Sequence, residues 1–492
     1  MLKVILVYTK TGWDVKNVTT LLPLSVLYLG KPLRRAGYTP IIIDQRIDPH
    51  WERSLRQRIR EGDVAAVGIS AMTGLQIKWG LAAAAIARQE AADIPLVWGG
   101  VHPTLLPDQT ARHPLVDYVV WREGEKALVD LLDALKDTRQ PAGVPGVAYA
   151  SANGDIVRGP DPDFIDLGDA LIPDYDLVNV PDYVTTQTLG HRDLAIMTSR
   201  GCPHRCIYCY NTAYGNRHWR AQPAEAVAEH IERIVKSFGL DAILVKDDNF
   251  FASRSRVISI AEQIRRRGLK VTIRGECRAD YIADQYDIDL LRDLYDAGFR
   301  ELTIGAEVGT DEALKQLQKD LSVQQIREAS NKLRQAKIAA KFTFLCGFPG
   351  ETDDSLAKTL DLMLELIRDN PFARVTPIHL YAPFPGTEMF DRAVKLGFSP
   401  PAKLQDWSGI DFHSVNTPWI DPANRRRLER MSVSTYFLDG RTMPEYFAAS
   451  PVMKNLSRIY GAVVRWRARF KNFRFMPELW LVEQYKKLKS MA

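Results

Sequence analysis

The chain has 492 residues, about three times the roughly 150 expected of one domain, so two or three domains are expected. Hydrophobic residues make up 46% and charged residues 25%, which excludes a disordered, collagen-like or disulfide-stapled chain. The net charge of +5 is uneven: Pro451 to Ala492 holds ten Lys or Arg and two Glu, or +8, a pattern that does not indicate a general nucleic-acid binder. The N-terminal MLKVILVYT alternates like a strand and lacks a signal-peptide cleavage site, so a cytoplasmic location is expected.

Residues 1–140 alternate short β-branched runs with helix-length segments. The predicted strands are Val4–Tyr8, Thr39–Ile43, Ala65–Ile69, Leu96–Trp98 and Tyr118–Val120. The predicted helices are Leu22–Ala36, Trp51–Glu61, Leu75–Gln89 and Glu123–Leu135. Strands that alternate with helices predict a parallel sheet covered on both faces, a Rossmann-like doubly wound domain of the α/β class. Such sheets bind ligands beyond the carboxyl ends of their strands.

Residues 141–193 break this alternation. The segment GVPGVAYASANGDIVRG predicts a hairpin with its turn at Asn153-Gly154. The following stretch holds four prolines and many acidic residues, which is typical of a linker.

Residues 194–392 return to alternation and predict a second parallel sheet. Its strands are expected at Ala195–Thr198, Ala242–Lys246, Lys270–Arg274, Glu301–Gly305, Lys341–Cys346 and Val375–Tyr381. Helices fit between them at Pro223–Ser237, Arg254–Arg267, Ile288–Ala297, Val323–Ala336 and Asp353–Ile367. Six βα units are enough to curl a sheet into a partial (βα)6 barrel, with its chemistry at the carboxyl ends of the strands. Residues 393–492 are expected to be mainly helical.

Three of the five cysteines, Cys202, Cys206 and Cys209, fall within eight residues, just after the first barrel strand. This spacing in TSRGCPHRCIYCYN suits a loop around an iron–sulfur cluster, with Gly201 and Pro203 at the bends. Three thiolates on a four-iron cluster leave one iron open to a small molecule. A structural zinc site, with His204 or His218 as the fourth ligand, is the alternative. Cys277 and Cys346 stand alone.

The CxxxCxxC motif and the strand ends that follow it resemble those of radical S-adenosylmethionine (SAM) enzymes. The resemblance assigns Cys202, Cys206 and Cys209 to a [4Fe-4S] cluster and places SAM contacts in the cysteine loop and at the ends of the strands that follow. These SAM contacts are Tyr208, then Asp247, Asp248 and Asn249 in KDDNF, Arg278 in GECRAD, Glu307 in IGAEVGT, and Gly347 and Pro349 in CGFPGET. The segment YAPFPGT matches the end of the family's sixth strand.

Residues 1–140 resemble the cobalamin-binding domain of one large radical SAM subclass, through WGGVHPTLLP and VVWREGEKAL. The cobalamin contacts that this resemblance implies are Ser70, Met72, Thr73, Gly99, Gly100, His102, Glu123 and Gly124. His102 is expected near the corrin edge and not as a cobalt ligand. The axial-histidine motif DxHxxG is absent, since Asp48-Pro49-His50 ends in Arg53 and follows the wrong strand. A doubly wound domain without a ligand is the alternative.

The chain thus resembles the cobalamin-dependent group that includes the class B methyltransferases and the bacteriochlorophyll oxidative cyclase. The resemblance implies that a 5′-deoxyadenosyl radical takes hydrogen from an unactivated carbon and that methylcobalamin then methylates this carbon. It assigns no catalytic acid or base. The alternatives are an oxidative cyclase or ring-rearranging enzyme, a non-enzymatic iron–sulfur or cobalamin sensor, and a transfer-RNA methylthiotransferase. The last resembles a layout with three more cysteines in the first domain, where this chain has none.

The implied partners are a small-molecule substrate, with a lipid or tetrapyrrole in view, and a low-potential electron donor such as flavodoxin or ferredoxin. The substrate suggestion depends on residues 455–474, whose apolar positions keep helical spacing among six Arg or Lys. A basic amphipathic helix of this kind can lie on an anionic membrane surface. A helix packed on the barrel with a solvated basic face is the alternative, and on the sequence alone it is favoured.

Overall fold

The computed structural model describes residues 1–476, apart from 13, 17, 138–140, 142, 188, 411–416, 444–450 and 475. The prediction for residues 393–492 therefore lies partly outside the described residues. The strands are β1 Lys3–Tyr8, β2 Thr39–Asp44, β3 Val64–Ser70, β4 Leu96–Gly99, β5 Tyr118–Val120, β6 Val147–Ala150, β7 Ile156–Arg158, β8 Thr185–Gln187, β9 Gly190–Ile196, β10 Ser199–Arg200, β11 Arg220–Ala221, β12 Ala242–Val245, β13 Thr272–Cys277, β14 Phe299–Glu307, β15 Ala339–Cys346 and β16 Ala373–Leu380.

The helices divide into those of the N-terminal part and those of the barrel and C-terminal part. The first set is α1 Leu24–Leu27, α2 Gly30–Arg35, α3 Trp51–Arg60, α4 Leu75–Glu90, α5 Val101–Leu105, α6 Pro107–Ala111 and α7 Gly124–Asp137. The second set is α8 Asn211–Tyr214, α9 Ala224–Phe238, α10 Arg254–Arg266, α11 Ala279–Gln285, α12 Ile288–Asp296, α13 Asp311–Gln316, α14 Val323–Gln335, α15 Asp353–Asp369, α16 Glu388–Lys395, α17 Pro422–Thr435 and α18 Pro451–Phe470. Short 3-10 turns lie at Asp169–Leu171, Tyr175–Leu177, Val180–Tyr183, Phe250–Ala252 and Leu404–Gly409.

The first sheet confirms the predicted doubly wound domain. Its order is β2-β1-β3-β4-β5-β6-β7, and β1 to β5 pair in parallel. Separate apolar clusters cover its two faces, as expected of a sheet with helices on both sides. The predicted hairpin forms as β6 and β7, but it joins this sheet antiparallel to β5. The segment predicted as hairpin and linker thus contributes two strands to the first sheet.

The first predicted helix, Leu22–Ala36, is divided into α1 and α2. Pro32 is the physical reason, because it has no N–H to donate to the carbonyl of Tyr28, one turn earlier. Tyr28 and Leu29, at the junction of the two helices, line the cavity described below.

The second sheet confirms the predicted partial barrel. Its order is β16-β15-β14-β13-β12-β9-β8, and the six predicted strands all pair in parallel. The additional strand β8 runs antiparallel to β9. The end strands β16 and β8 are not neighbours, so the barrel stays open.

The C-terminal residues that the structure describes are mainly helical, as predicted, and they pack against both sheets. Helix α17 covers the edge strand β16, where the Ile378 amide donates to Thr435 Oγ1 at 3.0 Å. Trp407 belongs to the core of the first domain, and its indole N–H donates to Gln109 Oε1 at 2.6 Å. Covering the open edge removes a site of strand-to-strand aggregation.

Candidate functional site

One cavity lies where the carboxyl ends of the two sheets face each other. The space between its walls is about 1420 Å³, a volume that includes the part open to solvent. The first domain lines it with residues from the ends of β1, β3 and β4 and the start of α7, among them Tyr8, Ser70, Gly99 and Gly124. The barrel lines the other side with residues of the cysteine loop and the end of β12, among them Gly201, Tyr210, Tyr214 and Asp248. A ligand here would touch both domains.

Six of the eight predicted cobalamin contacts line this cavity: Ser70, Met72, Gly99, Gly100, Glu123 and Gly124. Gly100 has φ +98°, and a Cβ there would lie 2.8 Å from the Ala71 carbonyl oxygen. Only glycine is free of strain in this conformation. The strand-end turn therefore requires Gly100 for its own packing, whether or not a ligand approaches.

His102 and Thr73 are not among the residues that line the cavity. His102 is on α5 and fully buried, with its ring centroid 5.5 Å from that of Trp407. Its Nδ1 lies 2.9 Å from Thr73 Oγ1. Burial lowers the pKa of His102 to about 3, so the imidazole is neutral. The reason is that α5 directs this side chain toward Trp407, which the C-terminal part of the chain contributes.

Glu123 joins the two domains at the wall of the cavity. Its carboxylate accepts hydrogen bonds from Arg220 at 2.5 Å, from Arg200 at 3.2 Å and from the Ile165 amide at 3.0 Å. Burial alone would raise the pKa of Glu123, but the hydrogen bond from Arg220 and the charge of Arg200 hold it below its usual value. Arg200 also pairs with Glu125 at 2.5 Å. Glu123 is thus an ionised, buried link between α7 and the strand before the cysteines.

The cysteine loop is closed at its base by the antiparallel pair β10–β11. Gly201 has φ +84°, and a Cβ at this position would overlap the His218 carbonyl oxygen at 1.9 Å. This explains the glycine before Cys202. Asp248 also fixes the turn, because its carboxylate accepts the Gly201 amide at 2.9 Å.

Asp247 is a buried residue that fixes the start of this loop through Thr198 and Ser199. It is 1% exposed, and its carboxylate accepts from the Thr198 amide at 2.5 Å and from the Thr198 and Ser199 hydroxyls at 2.6 Å each. Both oxygens are therefore occupied by protein. Of the predicted KDDNF contacts, Asp248 faces the cavity and Asp247 positions the loop.

The three cysteines share this loop, with Cys206 buried and Cys202 and Cys209 partly exposed. Asn249 Nδ2 lies 3.6 Å from Cys202 Sγ and 3.3 Å from the Tyr281 hydroxyl. Burial raises the pKa of the Cys202 thiol, and that of Cys209 to about 12, so these thiols need a metal to ionise at neutral pH. Within the described ranges no three His, Cys, Asp or Glu side chains are grouped closely enough to hold one metal ion, and this includes the three cysteines.

Tyr208 and Glu307 meet at Lys319, a residue that the sequence analysis did not select. Lys319 Nζ donates to Glu307 Oε1 at 2.7 Å and lies 3.1 Å from the Tyr208 hydroxyl. Lys319 is 7% exposed, and Glu307 has φ +63° beside an irregularity in the β14–β15 register. Such strain in a residue other than glycine is typical of functional sites. No motif marks Lys319 in QLQKDLS.

Arg278 is also engaged by protein groups. Its Nε donates to Asp280 Oδ1 at 2.9 Å, and its Nη2 donates to the Lys319 carbonyl at 2.6 Å. These bonds occupy Nε and Nη2 of the guanidinium, and the predicted contact between Arg278 and a carboxylate ligand stays a prediction. The structure places Arg278 where it fixes the backbone at Lys319.

Gly347 and Pro349 lie in the turn after β15. The Gly347 amide donates to Glu351 Oε2 at 2.5 Å, and its carbonyl accepts from the Trp419 indole at 3.0 Å. Burial raises the pKa of Glu351 to about 8, so this carboxyl is largely protonated at neutral pH. Through the hydrogen bond from Trp419, the C-terminal part of the chain also fixes this turn.

Two family models match the chain. One, described as the radical SAM superfamily, matches residues 196–363, and the other, described as the B12 binding domain, matches residues 15–132. The first covers β12 to β15 and the cysteine loop, and the second covers β2 to β5.

Relatives and one solved structure agree with these matches. An uncharacterised methyltransferase of Pyrococcus horikoshii is 28% identical over 398 residues, which cover 80% of this chain and 83% of that protein. The anaerobic magnesium-protoporphyrin IX monomethyl ester cyclase of Cereibacter sphaeroides is 26% identical over 75% of this chain and 60% of its own length. The cobalamin-dependent S-adenosylmethionine radical enzyme OxsB, solved with aqua-cobalamin and S-adenosylmethionine bound, has a TM-score of 0.76 at 18% identity, covering 100% of this chain and 75% of that one. This last likeness shows the fold.

Proposed function

We propose that this chain, which belongs to the cobalamin-dependent radical SAM enzymes, methylates an unactivated carbon of a small molecule. Its cofactors are a [4Fe-4S] cluster, SAM and cobalamin. When bound, the cluster and SAM supply radical chemistry at carbon, and cobalamin supplies a transferable methyl group. The observation that carries the proposal is the single cavity shared by the strand ends of the first domain and the cysteine loop.

The residues present fit these groups. The cavity is lined by the strand ends of the first domain on one side and by the cysteine loop on the other, so a corrinoid held by the first domain would face the cluster. The buried thiols of Cys202 and Cys209 have raised pKa values and suit a strongly electron-withdrawing metal cluster. Asp248 lines the cavity, and Asn249 and Tyr208 would offer further hydrogen-bonding groups beside the cysteine loop to a ligand of the cluster.

The chain's own residues contribute position and exclusion of water. Leu6, Leu24, Val26 and Leu128 form an apolar part of the wall, which limits quenching of reactive intermediates by solvent. Glu123 and Arg200 hold the first domain against the loop, so that both face the same substrate. No side chain is assigned as an acid or base, because the radical step does not need one.

We extend the proposal to the partners. The apolar wall favours a hydrophobic acceptor, such as a lipid or tetrapyrrole, and the radical chemistry requires a low-potential electron donor such as flavodoxin or ferredoxin. In the part of the chain that the structure describes, no helix is long and apolar enough to cross a bilayer.

Oxidative cyclisation is the second candidate. The cyclase from Cereibacter sphaeroides favours it, because the similarity covers 75% of this chain. In that case the same cavity would serve hydrogen removal, and no methyl group would leave cobalamin. A non-enzymatic sensor differs from both enzymes because it would not cleave SAM to 5′-deoxyadenosine.

The test uses anaerobically purified, reconstituted full-length protein supplied with hydroxocobalamin, SAM and a low-potential reductant. We expect iron and cobalt on the same chain, and formation of both 5′-deoxyadenosine and S-adenosylhomocysteine once an acceptor is present. The Cys202→Ala variant should lose the cluster and deoxyadenosine formation, whereas the matched Cys277→Ala should keep both. Deoxyadenosine without S-adenosylhomocysteine in the presence of a converted acceptor would favour the cyclase. Absence of deoxyadenosine from the iron-loaded protein would overturn both enzymatic functions.

A further inference from the structure

Helix α18 presents a continuous apolar stripe to solvent. Every third or fourth residue along it is a large apolar side chain with 39% to 68% of its surface exposed. These residues, called the α18 stripe below, are Val452, Leu456, Ile459, Val463, Trp466 and Phe470. The helix has 20 residues and is therefore about 30 Å long at roughly 1.5 Å per residue. An exposed apolar surface of this length on a folded protein indicates a contact with something else.

The opposite face of α18 is made of small residues and is anchored to the rest of the molecule. Ser457, Gly461, Val464 and Ala468 are buried there. A Cβ at Gly461 would lie 2.8 Å from the Phe437 carbonyl oxygen, so the helix can approach this closely only with glycine inward. The rotation of the helix is thus fixed, and the stripe points outward because of it. The helix therefore packs on the barrel, as the alternative interpretation expects, but most of its large apolar side chains stay exposed.

The charged residues of α18 itself are all positive. Helix α18 contains Lys454, Arg458, Arg465, Arg467 and Arg469 and no Asp or Glu. Arg458 and Arg469 are exposed and share one border of the stripe by helical periodicity. Aromatic and aliphatic residues beside arginines are typical of helices that lie in the interface of an anionic bilayer.

We propose that the α18 stripe docks the enzyme on an anionic lipid surface, with the helix lying in the plane of the headgroups. Charge decides between this occupant and a second copy of the chain. Two copies that met through this stripe would bring their arginine borders together without acidic partners on either helix. Anionic headgroups complement these arginines, while the six apolar side chains enter the boundary of the acyl chains. The docking is independent of methyl transfer and can fail or succeed separately.

The test is flotation of the full-length protein with vesicles of phosphatidylcholine alone or of equimolar phosphatidylcholine and phosphatidylglycerol. We expect binding to the anionic vesicles only, and loss of binding in the double variant Ile459→Asp with Val463→Asp. The double variant Arg458→Gln with Arg469→Gln should bind about fivefold more weakly for each arginine removed. Val394→Asp, which changes a 39%-exposed valine on α16, is the matched control and should bind normally. Iron content after reconstitution checks folding in each variant.

The opposite outcomes would overturn the proposal. Equal binding to neutral and anionic vesicles, or full binding by the Ile459→Asp, Val463→Asp variant, would contradict it. So would a stable dimer in sedimentation that this variant disperses, without vesicle binding, since a second copy would then be the occupant. Vesicle binding that arises only after deletion of residues 477–492 would show that the chain covers its own stripe.

Discussion

Replacement of Asp247 tests whether the polar motif after β12 acts on the ligand or on the cysteine loop. Asp247 accepts three hydrogen bonds from Thr198 and Ser199, which precede the first cysteine by three or four residues. In Asp247→Ala these donors lose a buried acceptor. In Asp247→Asn one oxygen can still accept from the Thr198 amide, and the hydroxyls can rotate to accept from the new amide group. We therefore expect the alanine variant to be the more damaging.

The expected loss of loop stability can be estimated from these hydrogen bonds. A hydrogen bond to a charged group is worth about 1.5–3 kcal/mol, and a buried donor left unpaired costs about 1–3 kcal/mol. Because such losses are not additive, we expect Asp247→Ala to destabilise the ordered loop by about 4 kcal/mol and Asp247→Asn to destabilise it by about 1–2 kcal/mol. At 1.4 kcal/mol per factor of ten, the alanine variant shifts the equilibrium of the ordered loop by roughly 1000-fold.

The assay is iron and sulfide content after anaerobic reconstitution, followed by reductive cleavage of SAM. Asp247→Ala should lose most of its iron, and Asp247→Asn should retain it. Asp248→Ala, which loses a single hydrogen bond to the Gly201 amide, should keep its iron but cleave SAM poorly. If Asp247→Ala held a full cluster and lost only SAM binding, the positioning role assigned to Asp247 would be wrong.

Three further changes have distinct expected results. Gly100→Ala places a Cβ against the Ala71 carbonyl at positive φ, which costs about 1–3 kcal/mol, so the purified protein should contain less cobalt at unchanged iron. Lys319→Met removes the ammonium between Tyr208 and Glu307, and SAM should bind at least about tenfold more weakly in equilibrium dialysis while iron content is retained. Burial lowers the pKa of His102 to about 3, so below about pH 6.5 the folded state binds fewer protons than the unfolded state. The free energy of unfolding therefore decreases as the pH is lowered. Between pH 6.5 and 5 this costs about 2 kcal/mol, at roughly 1.4 kcal/mol per pH unit, and urea unfolding of His102→Gln should lack this loss.

Periodicity was sufficient to predict both parallel sheets, because apolar runs and helix spacing are local properties of the chain. Six barrel strands lie within a few residues of their expected positions. The features that periodicity did not predict depend on contacts between residues far apart in the sequence. The strand β8 exists only as a neighbour of β9, and β6 and β7 are strands of the first sheet only because β5 has a free edge. Trp407 belongs to the first domain's core although about 290 residues separate it from β5.

The site shows the same division between local and distant information. The spacing of the cysteines and the glycine before them has a local meaning, since Gly201 must pass the His218 carbonyl. The roles of Asp247 and Arg278 depend on which neighbours reach them first, and a motif does not reveal that Thr198 or Asp280 occupies the carboxylate or guanidinium. Lys319 reaches Glu307 and Tyr208 by folding alone, so no sequence signal identified it.

The link between Glu123 and Arg200 joins the first sheet's domain to the strand that leads into the cysteine loop. Arg200 precedes Cys202 by two residues, and both of its acidic partners, Glu123 and Glu125, lie at the N-terminus of α7, where the helix dipole favours negative charge. Gly124, between them, lines the cavity. A buried ion pair of this kind adds little net stability, because desolvation offsets attraction, but removal of one partner costs about 3–5 kcal/mol. The pair therefore selects one arrangement of the domains, the one in which the cysteine loop and the strand ends of the first domain face the same space.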